Sequence, residues 1–125
     1  MAQVYHWHFG YEGSGNTTSA RWLSGLNIRE LAVDAARAVV PFDGTIARLR
    51  VRFAGPATAT ASITFTVQVG GVDTALVLVI AQGQTSGEAS GSIAVTAGQL
   101  VSIKSVASAA EADAVLARAT LSAEI

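Results

Sequence analysis

Two clusters in this chain combine residue types and spacing suited to chemistry. The first is Tyr5-His6-Trp7-His8-Phe9-Gly10-Tyr11. Drawn out as a strand, it puts Tyr5, Trp7, Phe9 and Tyr11 on one face and His6 and His8 on the other, because successive side chains alternate. Such an aromatic row either lids the domain's own core or forms a docking surface, since large apolar patches seldom stay exposed and aromatics anchor interfaces and stack on sugars. His6-x-His8 has the spacing of two metal ligands on a strand. No cysteine accompanies the pair and the nearest carboxylate, Glu12, is four residues on, so no metal site is expected. The second cluster is Arg48, Arg50 and Arg52, whose spacing places three guanidinium groups on one strand face. Guanidinium binds carboxylates in a bidentate fork, so the ladder suits a phosphate, a sialic acid or an acidic partner surface. It suits equally a solvated face on which the Arg stems lie over neighbouring Thr and Ser.

Reaction chemistry is poorly served. The sequence has no G-x-S-x-G elbow and no phosphate-binding glycine loop ahead of a helix, and its close carboxylate pair, Glu111-x-Asp113, falls in a loop. Two His among many Ser is a coincidence any Ser-rich β-protein offers. The expectation is a non-enzyme without cofactor.

The elements that must position these clusters are strands. In Thr45 to Phe53, Thr45, Ala47, Leu49, Val51 and Phe53 point one way and Ile46, Arg48, Arg50 and Arg52 the other. In Ser62 to Val69, Ile63, Phe65, Val67 and Val69 alternate with Ser62, Thr64, Thr66 and Gln68. Thr74 to Ile80 is apolar on both faces, as for a strand covered on both sides. Turn signals at Pro41 to Gly44, Ala54 to Pro56, Gly70-Gly71, Gly83 to Gly87 and Ala97-Gly98 recur at the spacing of a short-stranded β-domain. Glu12 to Ser19 reads as a loop, Ile28 to Arg37 as a short helix or an extended loop, and Ala107 to Asp113 as a loop before a final strand, Ala114 to Glu124. The fold class is therefore all-β, an antiparallel sandwich, with a core of Leu49, Val51, Phe53, Ile63, Phe65, Val67, Val77, Val79, Ile93, Val101, Ile103 and Leu121.

Composition bounds the rest. The 125 residues suit one domain, and with no cysteine its core must form without disulfides. No run approaches the roughly 18 apolar residues of a membrane helix, and the N-terminus lacks a basic, apolar signal-peptide pattern, which argues against Sec export and membrane insertion. Eight basic against nine acidic residues give a net charge of −1, which offers nucleic acid no general attraction and suits a protein that associates with other proteins.

Three segments carry a family resemblance: Val40 to Arg52 (VPFDGTIARLRVR), Phe65 to Leu76 (FTVQVGGVDTAL) and Val95 to Ile103 (VTAGQLVSI). They resemble small jelly-roll virion proteins of tailed bacteriophages and prophages, of decoration or head-fibre type with a tumour-necrosis-factor-like sandwich. That pattern runs P-x-x-G-x-[IL]-x-x-L-x-V, then [FY]-T-[VL]-x-V-[NG]-G-V-x-T-A-L, then V-x-A-G-D-x-[IV]-x-I. Here Gln99 stands where Asp is common, and Arg21-Trp22-Leu23 is similar to a family R-Y-L element. The resemblance implies a jelly roll, a homotrimer and a virion location, assembled in the host cytoplasm and exposed on the particle; it implies no catalytic residue. The resemblance covers about Arg21 to Ile125, whereas the residues themselves, with the aromatics and a Gly/Ser/Asn loop ahead of the alternating runs, read as an N-terminal attachment arm over 1–38 and the jelly-roll domain over 39–125. The expected partner is the major capsid or another virion protein, with a host-surface glycan as the alternative if the chain tips a head or tail fibre. Decoration of the capsid is preferred, because a fibre tip needs an extended stalk. The partner-binding candidates are Tyr5, Trp7, Phe9, Tyr11, Arg48, Arg50 and Arg52.

Overall fold

The alternating runs become strands whose apolar faces meet. The computed structural model describes residues 3–14, 21–23, 29–30, 37–53, 62–108 and 114–125; at 11–14, 21–22, 29–30 and 114–117 it describes the backbone only. The strands among them are β1 (Val4–Ser14), β2 (Arg21–Leu23), β3 (Arg29–Glu30), β4 (Ala38–Val39), β5 (Gly44–Phe53), β6 (Ile63–Val69), β7 (Val72–Ile80), β8 (Ser86–Val95), β9 (Leu100–Ala107) and β10 (Ala114–Glu124). One sheet has the order β1-β10-β5-β8 and the other β3-β2-β9-β6-β7, with β4 also paired to β9, and every pairing is antiparallel. With the two-residue β3 and β4 set aside, the first strand lies beside the last and the third beside the sixth, while the second, seventh, fourth and fifth build the opposite sheet. This is jelly-roll connectivity, so the fold is an all-β antiparallel sandwich.

The core fills the space between the sheets. Leu49, Val51, Phe53, Ile63, Phe65, Val67, Val101, Ile103 and Leu121 are buried there as their alternation implies, with the Phe53 and Phe65 rings 6.1 Å apart across the layers. Three expected core residues are not in it. Val77 and Val79 are 42% and 55% exposed, and Ile93 is only partly buried. β7 ends the described order of its sheet and points Leu76, Leu78 and Ile80 inward, so Thr74 to Ile80 is covered on one face rather than two. Its outer valines satisfy strand propensity without burial.

β5 departs from simple alternation. Ala47 pairs in neither ladder, because the register steps from Ile46 to Arg48 against both β10 and β8. This β-bulge reverses the phase, so Ile46, expected beside the arginines, is fully buried with Leu49, Val51 and Phe53.

Turn chemistry is as expected where it is described. Gly70 and Gly71 have φ of 62° and 81°, the left-handed values that a two-residue primed hairpin turn requires. Asp43 Oδ1 accepts the Ala97 amide at 2.9 Å, tying the turn before β5 to the turn before β9. Outside the hairpin turn, Asp73 accepts from Gln68 Nε2 at 2.7 Å and from Lys104 Nζ at 2.8 Å, which pins β7 to β6 and β9. Gly87, read as part of a turn, lies within β8 instead. There Gly87 and Gly91 face β7: a Cβ on Gly87 would come within 3.0 Å of Leu78 Cδ1, and one on Gly91 within 3.2 Å of Leu76 Cδ1. The bare backbone is what lets the sandwich close along this edge.

The N-terminal segment is no separate arm. β1 pairs with β10 along its whole length, from Val4 opposite Glu124 to Ser14 opposite Ala114, so the jelly roll begins at β1 rather than at residue 39. Glu12 to Ser14, read as loop, continue that strand, and residues 15–19 lie outside the described residues. Of Ile28 to Arg37, the Arg29–Glu30 pair is strand; 28 and 31–36 lie outside the described residues, as do 54–56, Glu111 and Asp113.

Candidate functional site

The aromatic row belongs to the interior. Trp7 and Phe9 are 6% and 4% exposed and join the core, because β1 turns that face toward the opposite sheet. Trp7 packs against Tyr5 at 4.8 Å and Phe42 at 5.8 Å between ring centroids, and its indole Nε1 donates to the Val39 carbonyl at 3.4 Å. Tyr5 sits at the rim, 38% exposed. For Tyr11 only the backbone is described, opposite Ala117. Trp7 and Phe9 are therefore not available as a docking or sugar-stacking platform.

The arginine ladder has the opposite fate. With Ile46, Leu49, Val51 and Phe53 turned inward, Arg48, Arg50 and Arg52 stand exposed on the outer face of the β1-β10-β5-β8 sheet. Register places the neighbours of each. His6, Ser122, Arg48 and Ser90 form one row across the sheet, His8, Thr120, Arg50 and Glu88 the next, and Gly10, Arg118, Arg52 and Ser86 the third. Rows of this kind repeat about every 7 Å along a strand, with neighbours about 4.8 Å apart across it. Four of the chain's eight Lys and Arg residues thus share one face.

A single carboxylate spans two of them. Glu88 Oε1 lies 3.1 Å from Arg48 Nε and Oε2 lies 2.8 Å from Arg50 Nε, each oxygen taking one guanidinium. All three side chains remain about half exposed, so these ion pairs organise the face more than they stabilise the fold. Beyond them a groove of about 410 Å³ opens over Arg50, Arg52, Arg118, Ser86, Gly87 and Thr120. A smaller one, about 210 Å³, lies over Arg48, Arg50, His6 and Ser122. His6 Nδ1 and Ser122 Oγ share a hydrogen bond of 2.9 Å. His6 and His8 are both exposed, and no group of three His, Cys, Asp or Glu gathers among the described residues.

Arg118 and Glu88 escaped the sequence reading for different reasons. Arg118 alternates with Ala117 and Ala119 and so falls on the polar face of the last strand; the signal was present, but only the neighbour relation between β10 and β5 makes it part of the ladder. Glu88 sits in a Gly/Ser-rich run that resembles a turn. Chemically, the face offers a fixed row of forked donors to anions, with hydroxyl groups between them.

No family model matches the sequence, and no curated protein matches it significantly. Among solved structures, a chain from the acidic stable capsid structure of Helicobacter pylori bacteriophage KHP30 aligns over 100% of this chain and 94% of its own, at 11% identity and a TM-score of 0.57. FLHE aligns over 98% and 96% at 16% identity and a TM-score of 0.47. A family 35 carbohydrate-binding module from Clostridium thermocellum aligns over 97% and 97% at 10% identity and a TM-score of 0.46. At such identities the likeness is one of fold: the chain is similar to the phage capsid chain in its jelly roll from end to end.

Proposed function

We propose that this protein is a structural component of a tailed-phage or phage-like particle, a decoration protein seated on the major capsid lattice. The observation that carries the reading is the fold shared with a phage capsid structure over the whole of this chain and 94% of the other. Two features agree with it. The phage-type strand and turn motifs of the sequence sit on β5, on the β6–β7 hairpin and at the start of β9, where they build the sandwich. The conspicuous surface chemistry is also an open charged sheet face rather than an enclosed pocket. On this reading the protein is not an enzyme, and it assembles as a trimer exposed on the particle surface. The fibre-tip alternative loses its aromatic platform, since Trp7 and Phe9 are in the core.

Quantitative mass spectrometry of purified particles tests the proposal. Decoration of a symmetric lattice requires on the order of hundreds of copies per particle. About a dozen copies or fewer would place the protein at a vertex or fibre, and its absence from particles would end the virion reading. Sedimentation at micromolar concentration checks the trimer.

A further inference from the structure

We propose that the outer face of the β1-β10-β5-β8 sheet is a docking surface for a protein partner that presents carboxylates in an extended row, and that Arg50, Arg52 and Arg118 are its receiving groups. The inference rests on the reading that the chain docks on a protein lattice, and it moves the attachment point from the N-terminal aromatics to this sheet.

Basic charge is segregated on this molecule. A chain of net charge −1 has no general attraction for polyanions, yet half of its Lys and Arg residues stand on one sheet face. Among the residues whose side chains are described, the carboxylates on that face are Glu88 within the ladder and Glu124 at the end of β10, opposite Thr45, and the backbone register puts Glu12 one row beyond Arg118 on the edge strand β1. The molecule also shows how the ladder takes a carboxylate. Glu88 lies across the Arg48–Arg50 step with one oxygen on each Nε. The next step, Arg50–Arg52, repeats the same strand geometry one residue pair further along. Across from Arg52 stands Ser86 in place of an acid, with Arg118 on the other side. The groove opens there, floored by Val51 and Gly87 and bounded by Glu88 at its Arg50 end. A partner's carboxylate entering it meets guanidinium groups from two strands and the hydroxyls of Ser86 and Thr120.

Period favours an extended acidic partner. Receiving groups two residues apart on a strand repeat about every 7 Å, and so do carboxylates on alternate residues of a partner strand. Nucleic acid is less well served. Single-stranded binding joins a basic groove to aromatic platforms for the bases, and the aromatics of β1 face inward.

Binding of a fluorescent extended peptide of alternating Thr and Glu, measured by anisotropy, tests the face directly. A Thr/Lys peptide and an oligothymidylate of equal charge magnitude serve as comparators. The Thr/Glu peptide is expected to bind, more weakly as salt rises, and the Thr/Lys peptide not to bind. Arg52→Gln and Arg118→Gln should each lower affinity about fivefold, the scale of one exposed ion pair. Glu88→Gln, which releases Arg48 and Arg50 from their internal carboxylate, should raise it. Unchanged melting temperatures would show that these exposed substitutions act on binding and not on folding. Equal affinity in wild type and in the Arg52→Gln, Arg118→Gln double variant would overturn the proposal, as would no peptide binding, weaker binding by Glu88→Gln, or oligothymidylate binding tighter than the peptide. Particle copy number answers separately: abundant decoration that survives the double variant removes this face while sparing the decoration reading.

Discussion

Replacing Trp7 by Ala asks whether β1 is structure or appendage. Trp7 is 6% exposed, wedged between Tyr5 and Phe42 and bonded to the Val39 carbonyl. A side chain of this size buries about 200 Å², which at about 25 cal/mol per Å² gives an upper value of about 5 kcal/mol. Allowing for residual burial in the unfolded chain lowers this to about 3–4 kcal/mol, within the range of about 3–5 kcal/mol known for large aromatics truncated in cores. Against a total stability of about 5–15 kcal/mol, that is a large fraction. For a domain of this size it should lower the melting temperature by about 10–15 °C. Calorimetry or circular dichroism on purified protein measures it. Tyr5→Ala, at the exposed rim, should cost about 1 kcal/mol. A Trp7→Ala melt within two or three degrees (~2–3 °C) of wild type would refute the reasoning, because it would make the N-terminal segment dispensable to the sandwich.

The one-sided burial of β7 can be checked with adjacent residues: Val79→Thr should alter stability by no more than about 0.5 kcal/mol, whereas Leu78→Ala should cost about 2–5 kcal/mol, and equal costs would mean that the strand is covered on both faces. Gly44→Ala should destabilise by about 1–3 kcal/mol, because a Cβ there collides with the Glu124 carbonyl and comes within 3.0 Å of Phe42 Cε2; an unchanged denaturation midpoint would mean that β5 and β10 are less closely apposed. The hydrogen bond from Lys104, aided by that from Gln68, holds the Asp73 carboxyl below the usual carboxylate range. A carboxyl whose folded pKa is depressed stabilises the fold above its unfolded pKa, and that contribution disappears as pH falls from the unfolded value through the lower folded one. Asp73→Asn should therefore lose stability at neutral pH and little in acid, by less than about 1 kcal/mol because the pair is exposed; a larger loss in acid than at neutral pH would contradict the assignment.

Much of the sandwich was legible because alternation is local. Leu49, Val51, Phe53, Ile63, Phe65 and Val67 announce their face within a few residues, and Gly70-Gly71 announces its turn. Departures arose where the deciding neighbour is remote or a single residue breaks the period. The bulge at Ala47 moved Ile46 into the core, and nothing in Thr45 to Phe53 marks it. The outward valines of β7 look like core until the strand is known to end its sheet. The candidate face was half visible for the same reason: Arg48, Arg50 and Arg52 lie on one strand, while Arg118 and Glu88 reach them only through pairing. The aromatics of β1 allowed a core or an interface, and their pairing with β10 decided for the core.

That pairing of first strand with last has a consequence for how the protein is made. Trp7 lies opposite Leu121, and within its sheet β1 has β10 as its one described neighbour. Synthesis proceeds at about 5–20 residues per second, so an interval on the order of ten seconds separates the emergence of the two residues from a ribosome. Through that interval the segment from Tyr5 to Phe9 has no strand to pair with, and its aromatic side chains have no finished interior to enter. Folding to completion then waits for β10 to emerge, and it is slow by the standard of chains dominated by local contacts. The same apolar row that secures the finished sandwich is, in the nascent chain, the part most exposed to mispairing with other copies.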